Sequence, residues 1–593
     1  MTDNVELNVW SSSKSEASTR PPSLNGTFVN DIDIVTFTLP PEEAPAIVSA
    51  TTDVERYYPA KKDAGFWLII VSLGVTSWLA AIDLTSVSTA LPTITDDLNG
   101  GSDFVWVGSA FTLASTAILP LSGNIATIFG RQWAVLSFIF LFAVGSAVTA
   151  SAQNMTAMIA GRTVQGLGGG GILSLTEIIV ADLVPLRERG VFQGILGCVW
   201  AFASAIGPPI GGALAQAGQW RWLFYMNLPL CAIAWGLTFW FLKLKRPEGS
   251  LRSKLARIDW IGNIIIIIAT TLVIVALVQG GIQHPWKSHQ ILVPLIIGLV
   301  LIGVFLVYEF YWCIGENMVP FDILSNRTTL SGYGGVFMHG IASMILIYYL
   351  PVYFQGALLA SPLKSSIDIF PAAFTIAPIS IVAGVSVAVT NHYVAQNVIA
   401  WMFTMIGYGL MTTITTDSST AAWVGYQVVV SLGIGVLYPL TTFPVLAPLP
   451  ISKNAHALAF FIFMRTFSQT FGVTIGATVL QNELVRNLPA AFSALFPAGV
   501  NIAYAAIPQI PTLSQPLQDE VRVAFASSLS TLWKVAIAMG GLGLVSTFFM
   551  KQIHLHVVTD DQWGREQREQ REQLEQTAVV DVRKITPPQS PAM

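Results

Sequence analysis

The sequence predicts an all-α polytopic membrane protein with about fourteen transmembrane helices. Three observations lead there. Only 11% of the 593 residues are Asp, Glu, Lys or Arg, against about 25% in soluble domains. The hydrophobic set reaches 53% before any of the 48 glycines is counted, and mean hydropathy is +0.62. A water-soluble fold of this size would lack the polar side chains to cover its surface, which excludes a soluble enzyme. Thirdly, apolar runs of about 20 residues recur from Gly65 onward. Each can cross a hydrocarbon core of about 30 Å as a helix whose backbone hydrogen bonds are satisfied internally.

The elements follow in order. Residues 1–63 are rich in Ser, Thr, Pro, Asp and Glu, lack hydrophobic periodicity and read as a disordered tail. They hold no apolar core with a small-residue cleavage site, so the first span is expected to act as its own insertion signal. The first six spans fall at 66–91, 103–128, 133–152, 157–180, 191–215 and 222–242. A basic loop at 243–257 splits the chain there, and the pair 260–280 and 290–312 follows it. A second six lies at 330–353, 366–388, 396–415, 421–446, 457–479 and 529–550. The last two are separated by a Pro- and Ala-containing stretch, 480–528, and the end of the chain carries a charged repeat at 564–576 that reads as a solvated helix or as disorder. The expected domains are a cytoplasmic tail 1–63, a six-helix bundle 64–243, the basic cytoplasmic loop with two inserted helices 244–318, a six-helix bundle 319–551 with a long extracellular loop 480–528, and a cytoplasmic tail 552–593.

Orientation follows from the basic residues. Lys243, Lys245, Arg246, Arg252, Lys254 and Arg257 lie in the loop after span 6, and Lys61, Lys62, Arg131, Arg187, Arg189, Lys453 and Lys551 fall on the same side. Lys287, Lys364 and Arg486 lie opposite. The bias predicts that both termini are cytoplasmic. A net charge of -4, from 30 basic and 34 acidic residues, gives no reason to expect a nucleic-acid partner. Cys198, Cys231 and Cys313 all lie in apolar stretches, so no disulfide framework is implied.

Charges within spans cost about 2.5–3.5 kcal/mol at the bilayer centre, so each needs a reason. Asp83 lies deep in span 1 and Arg162 at similar depth in span 4. A pair there would offset the cost of burial, either as a structural ion pair or as a proton-exchange site. Arginine stays charged, so Asp83 is the candidate carrier. Gln165, at i+3 from Arg162, either donates to substrate or to the carboxylate, or simply packs. Gly166-Leu-Gly-Gly-Gly-Gly171 matches GxGxxG but lies inside an apolar span with no strand before it, so it reads as a close-packing surface. No phosphate-binding GxxxxGK[ST] occurs, which argues against an ATP-driven pump, and the seven histidines form no intramembrane ligand set. No metal or cofactor is expected. Gly207, Pro208, Gly211 and Gly212 in span 5 combine a helix breaker with small residues and read as a bend in a contact surface. Asp182 is placed to meet Arg131 as a latch at the inner mouth, whereas Arg465 in span 13 has no evident partner. Trp106, Trp200, Tyr348, Tyr349 and Tyr353 either line an amphipathic cavity or pack within the bundle.

Together these stretches resemble the major facilitator superfamily, and within it the 14-span drug:proton antiporter family of fungal toxin and metabolite exporters. The resemblance covers about 65–550 and rests on several ordered motifs. They are Asp83-Leu-Thr-Ser-Val-Ser-Thr-Ala-Leu-Pro92, Arg162-Thr-Val-Gln-Gly-Leu-Gly168, Gly207-Pro-Pro-Ile-Gly-Gly212 and Trp220-Arg-Trp-Leu-Phe-Tyr-Met-Asn-Leu-Pro229. Ile258-Asp-Trp-Ile-Gly262, Tyr349-Leu-Pro-Val-Tyr-Phe-Gln355 and Arg465-Thr-Phe add to them. One departure is Thr127, where the family's loop motif after span 2 carries an acid; Gly123, Gly130 and Arg131 remain.

The resemblance implies a major facilitator fold: two six-helix bundles with two inserted helices, rocking about a midplane cavity. It implies efflux of an amphipathic organic molecule, such as a fungal secondary metabolite, toxin or drug, in exchange for protons. Asp83 and Arg162 would couple the proton, and Gln165, Trp200, Asn227, Tyr348 and Tyr349 would line the cavity. Arg131 with Asp182 would form the latch. The expected partners are a small organic substrate, protons and membrane lipid, the expected state is a monomer, and the expected location is the plasma membrane, with the vacuolar membrane as alternative. A 14-span transporter of iron chelates or small cations, and a non-transporting sensor on the same scaffold, are the competing readings.

Overall fold

The computed structural model describes residues 62–98, 105–244, 250–280, 284–313, 317–494 and 506–555. All but the last two residues of the expected N-terminal tail, and the repeat at 564–576, lie outside the described residues. Among the described residues there is no sheet, and 14 helices are long and apolar enough to cross a membrane. The first seven are α1 (Ala64–Asp97), α2 (Val105–Phe129), α3 (Arg131–Ala150), α4 (Met155–Leu183), α5 (Leu186–Gln216), α6 (Asn227–Phe241) and α7 (Trp260–Gln279). The others are α8 (His289–Tyr311), α9 (Arg327–Gly356), α10 (Phe370–Thr390), α11 (Val394–Met411), α12 (Thr420–Leu440), α13 (Asn454–Asn487) and α14 (Leu517–Thr547). Their order matches the fourteen expected spans.

Polar residues just before the apolar runs start several of these helices. Asp63 accepts from Phe66 N at 3.0 Å, Asn154 from Ala157 N at 2.8 Å and Asp259 from Gly262 N at 3.1 Å. Each satisfies a backbone donor that the first turn leaves without a partner. The lipid-compatible faces are apolar: Phe140 on α3 is 62% exposed, and α8 exposes Ile296, Leu299 and Val300.

The main difference from the sequence reading concerns 480–528. Helix α13 continues to Asn487 and α14 begins at Leu517, so much of that stretch is helical. The added turns are polar, which is why hydropathy stops short of them. They are held by Asn487 Nδ2 donating to Ser528 Oγ at 3.1 Å, while Arg486 pairs with Glu483 at 3.0 Å.

Packing proceeds by close helix pairs: α3 on α4, α2 on α4, α1 on α5, α11 on α12, α9 on α13 and α9 on α14. The glycine run of α4 explains the first two. A Cβ on Gly166 or Gly170 would overlap the α2 backbone at Phe111 or Ser115, and one on Gly168 would overlap the α3 backbone at Phe142. Only glycine admits backbones this close on two faces of one helix. Helix α7 touches both α2 and α13, and Thr474 Oγ1 donates to Leu277 O at 3.4 Å.

The first and second sets of six meet along α5–α10 and α2–α13. Near the basic-loop side these contacts reach the backbone. A Cβ on Gly384 would overlap Gly190, and a Cβ on Gly123 would lie 2.9 Å from that of Ala459. Arg187 Nε donates to Ala388 O at 2.6 Å, and Gln193 Nε2 donates to Thr442 Oγ1 at 3.2 Å. The seam is shut on that side.

The segment after α14 folds back on the α10–α11 loop. Gln552 Oε1 accepts from Tyr393 N and Val394 N, both at 3.2 Å, and its Nε2 donates to Asn391 O at 2.6 Å. Burial raises the Tyr393 phenol to about 12, so it remains a donor and bonds Lys551 O at 2.5 Å. Gln552→Ala removes three bonds to backbone groups and is expected to lower the thermal midpoint by about 2–4 °C. An unchanged melting curve of the detergent-solubilised variant would show that the clasp contributes nothing.

Candidate intramembrane charge site

The site is built from α1, α3, α4 and α6. Arg162 and Gln165, three residues apart, present their side chains on one face of α4. Arg162 Nη1 donates to Asp83 Oδ2 at 2.6 Å and to Gln165 Oε1 at 2.7 Å. Gln165 Nε2 donates to Asp83 Oδ1 at 2.7 Å and to Ser146 Oγ of α3 at 2.8 Å. Asn227 Nδ2, at the start of α6, donates to Asp83 Oδ1 at 2.9 Å. Three donors therefore converge on one carboxylate. The rest of the Arg162 guanidinium is also occupied: Nε donates to Val107 O at 2.9 Å, and the Phe111 and Phe224 rings lie 4.6 and 5.7 Å from Cζ. Aromatic faces and backbone oxygen hold the cation, which has no surface open to solvent.

This arrangement encloses the acid. Asp83 is 1% exposed and Arg162, Gln165, Asn227 and Ser146 have no exposed surface. The donors that satisfy the carboxylate also surround it. Tyr349 is sealed as well: its ring fills the space against Gly476, and its hydroxyl donates to Val473 O at 2.5 Å. Of the five residues expected to line a cavity, Tyr348 is 47% exposed and Trp200 is half-buried beside Trp78, Ala203 and Met226. Gln165, Asn227 and Tyr349 do not reach open space.

Gly207 lies where α5 crosses α1, directly beyond Asp83 in the chain. A Cβ there would overlap Thr85 Oγ1 and come within 3.2 Å of Ser86 N. Helix α5 runs on through Pro208 and Pro209; Gly211 is buried, whereas a Cβ on Gly212 would meet nothing within 4 Å. The glycine and proline cluster thus brings α5 against the helix that carries the acid.

A second buried pair sits at the basic side. Arg131 Nε donates to Asp182 Oδ2 at 2.9 Å, with both residues at most 3% exposed. Arg131 Nη1 donates to Ala126 O at 2.8 Å and to Thr127 Oγ1 at 3.4 Å. A hydroxyl therefore stands where the resembled motif has an acid, and Asp182 carries the negative charge for this arginine. Nearby, Glu177 accepts from Gln193 Nε2 at 2.8 Å, which joins α4 to the α5 side of the seam.

Sequence reasoning missed Ser146, Phe111 and Phe224 in the first site and Gln193 with Thr442 at the seam. None carries a signal in one sequence, because serine and phenylalanine are common in spans and the partners lie on other helices.

The comparisons with known proteins concern the chain as a whole. The profile of the Major Facilitator Superfamily matches residues 73–477. The chain is 38% identical over 516 residues to the efflux pump FUS6 of Gibberella fujikuroi, which spans 86% of this chain and 93% of that protein. It is 37% identical over 536 residues to the MFS-type efflux pump LUC4 of a Fusarium species, covering 89% of this chain and 93% of that one. Among solved structures, the human organic anion transporter MFSD10 superposes with a TM-score of 0.52 at 16% identity, over 83% of this chain and all of that one. This last likeness speaks for the fold alone. The chain is a multi-pass membrane transporter, not an enzyme, and it belongs to the Major Facilitator Superfamily.

Proposed function

We propose that the chain exports amphipathic organic molecules, of the kind fungi make as secondary metabolites or meet as toxins and drugs, in exchange for protons. The observation that carries the proton part is the convergence of three donors on Asp83. An ionised carboxylate accepts all three, whereas a protonated one becomes a donor itself and loses acceptor capacity. Proton uptake would therefore release at least one of the bonds that tie α1 to α4 and α6. Opening the network admits water, and closing it expels the proton. The support for export comes from fungal relatives that are named efflux pumps.

In this reading 64–243 and 319–551 are the two moving bundles, and 244–318 is the basic loop with its inserted helices. The basic side is cytoplasmic, with both termini there, and the protein works as a monomer in the plasma membrane. The seam is closed on the cytoplasmic side, so Trp200 and Tyr348 belong to a cavity reached from outside. Each pH unit supplies about 1.4 kcal/mol, and each 100 mV about 2.3 kcal/mol per charge. The test is efflux from proteoliposomes under an imposed pH gradient. Transport that is indifferent to the gradient would sink the antiport scheme.

The Arg131–Asp182 pair is the proposed latch of the closed state. Asp182→Ala leaves Arg131 buried without its counter-charge, which costs about 3–5 kcal/mol. Turnover is expected to fall about tenfold or more while substrate binding stays measurable. Wild-type turnover in that variant would leave the pair a purely local contact.

A further inference from the structure

A second cationic centre lies in the other set of helices. Arg465, about a third of the way along α13, is 7% exposed, and none of the ion pairs among the described residues includes it. Its guanidinium is held between two rings, with Cζ 4.4 Å from the centre of Tyr438 and 4.6 Å from that of Phe461. Nη2 donates to Tyr438 O at 2.9 Å, while Nε is buried with no partner. Beside the Tyr438 ring, at 6.4 Å between centroids, lies His339, 3% exposed. Its Nε2 faces Ile434 O at 3.1 Å and is therefore the protonated nitrogen; Nδ1 is buried without a partner. A buried guanidinium that forms no ion pair and keeps an unused Nε–H is an incomplete site.

Its position says what completes it. Tyr438 lies four residues, about one helical turn, before Thr442, which accepts the Gln193 bond that shuts the seam. The centre thus lies one layer above the closure, and Tyr438 is partly exposed there.

We propose that Arg465, with Tyr438 and His339, receives an anionic oxygen group of the transported molecule, a carboxylate or an enolate or phenolate attached to an aromatic or apolar body. Arg465 supplies the charge and the Nε–H, Tyr438 and Phe461 the flat apolar contact, and His339 Nδ1 an acceptor for a neighbouring hydroxyl. This rests on the transport reading but not on its proton coupling.

The experiment is equilibrium binding to the purified full-length protein at one pH, with no gradient. The probes are dansylglycine, pyrenebutyrate and 1-naphthylacetate, each paired with its methyl ester. For at least one pair, wild type is expected to bind the acid about tenfold or more tighter than the ester. Arg465→Gln is expected to erase that preference while leaving ester binding unchanged, and Arg465→Lys to restore part of it. Asp83→Asn should keep the preference, which separates a failure here from a failure of antiport. If wild type favours every ester, binds none of the acids, or loses acid and ester equally in Arg465→Gln, the proposal is overturned. Should Arg465→Gln prove unstable, the wild-type comparison and Arg465→Lys still decide it.

Discussion

Asp83→Asn is expected to reach the membrane, bind substrate and exchange it at equal pH, yet to lose gradient-driven efflux by about a hundredfold or more. The substitution keeps the size of the side chain and one acceptor. It removes the charge opposite Arg162 and one of the two oxygens between which Gln165 and Asn227 (on Oδ1) and Arg162 (on Oδ2) are divided. Arg162 keeps its bonds to Val107 O and Gln165 and its aromatic contacts, so the helix stays anchored. What disappears is the group that can be charged in one state and neutral in the other. Reconstituted protein separates the two readouts: counterflow without a gradient, and uptake into inside-out vesicles with one. Full gradient-driven transport by the variant would exclude Asp83 as the carrier.

Gly384→Leu is the second large effect. At the α5–α10 crossing even a methyl group would overlap the Gly190 backbone, so a leucine cannot be accommodated by a rotamer change. The seam on the basic side should stay ajar, with turnover reduced about tenfold or more. Thr442→Cys reports on this directly, since Thr442 is buried at the seam with 1% exposure. In a background with Cys198, Cys231 and Cys313 replaced by serine, a membrane-impermeant maleimide should label it from the basic side several-fold faster when residue 384 is leucine. Wild-type transport with no added labelling would mean that the leucine is accommodated without opening the seam.

The fold was largely readable in advance because the bilayer imposes one dominant rule: long apolar helices, with polar residues only where something satisfies them. That rule located fourteen helices and drew attention to Asp83, Arg162 and Asp182. It misjudged α13 and α14, whose outer turns are polar and are stabilised by contacts between helices rather than by hydropathy. The site was legible only in part. Single residues of unusual cost stood out, but their partners did not: Ser146 and Gln193 look ordinary until the helices are packed. The surroundings of Asp83 were hidden for the same reason. A costly acid suggests water nearby, whereas here neighbouring amides and a guanidinium replace water, and composition does not distinguish the two solutions.

The docking of 551–555 on the α10–α11 loop has a practical side. A reporter or affinity handle spliced on at Thr547, where the last helix stops, would cut away Gln552 and leave the Asn391 carbonyl and the Tyr393 amide uncovered. Leu555, whose amide still reaches Asn391 Oδ1 at 3.2 Å, marks the earliest safe junction for such a fusion.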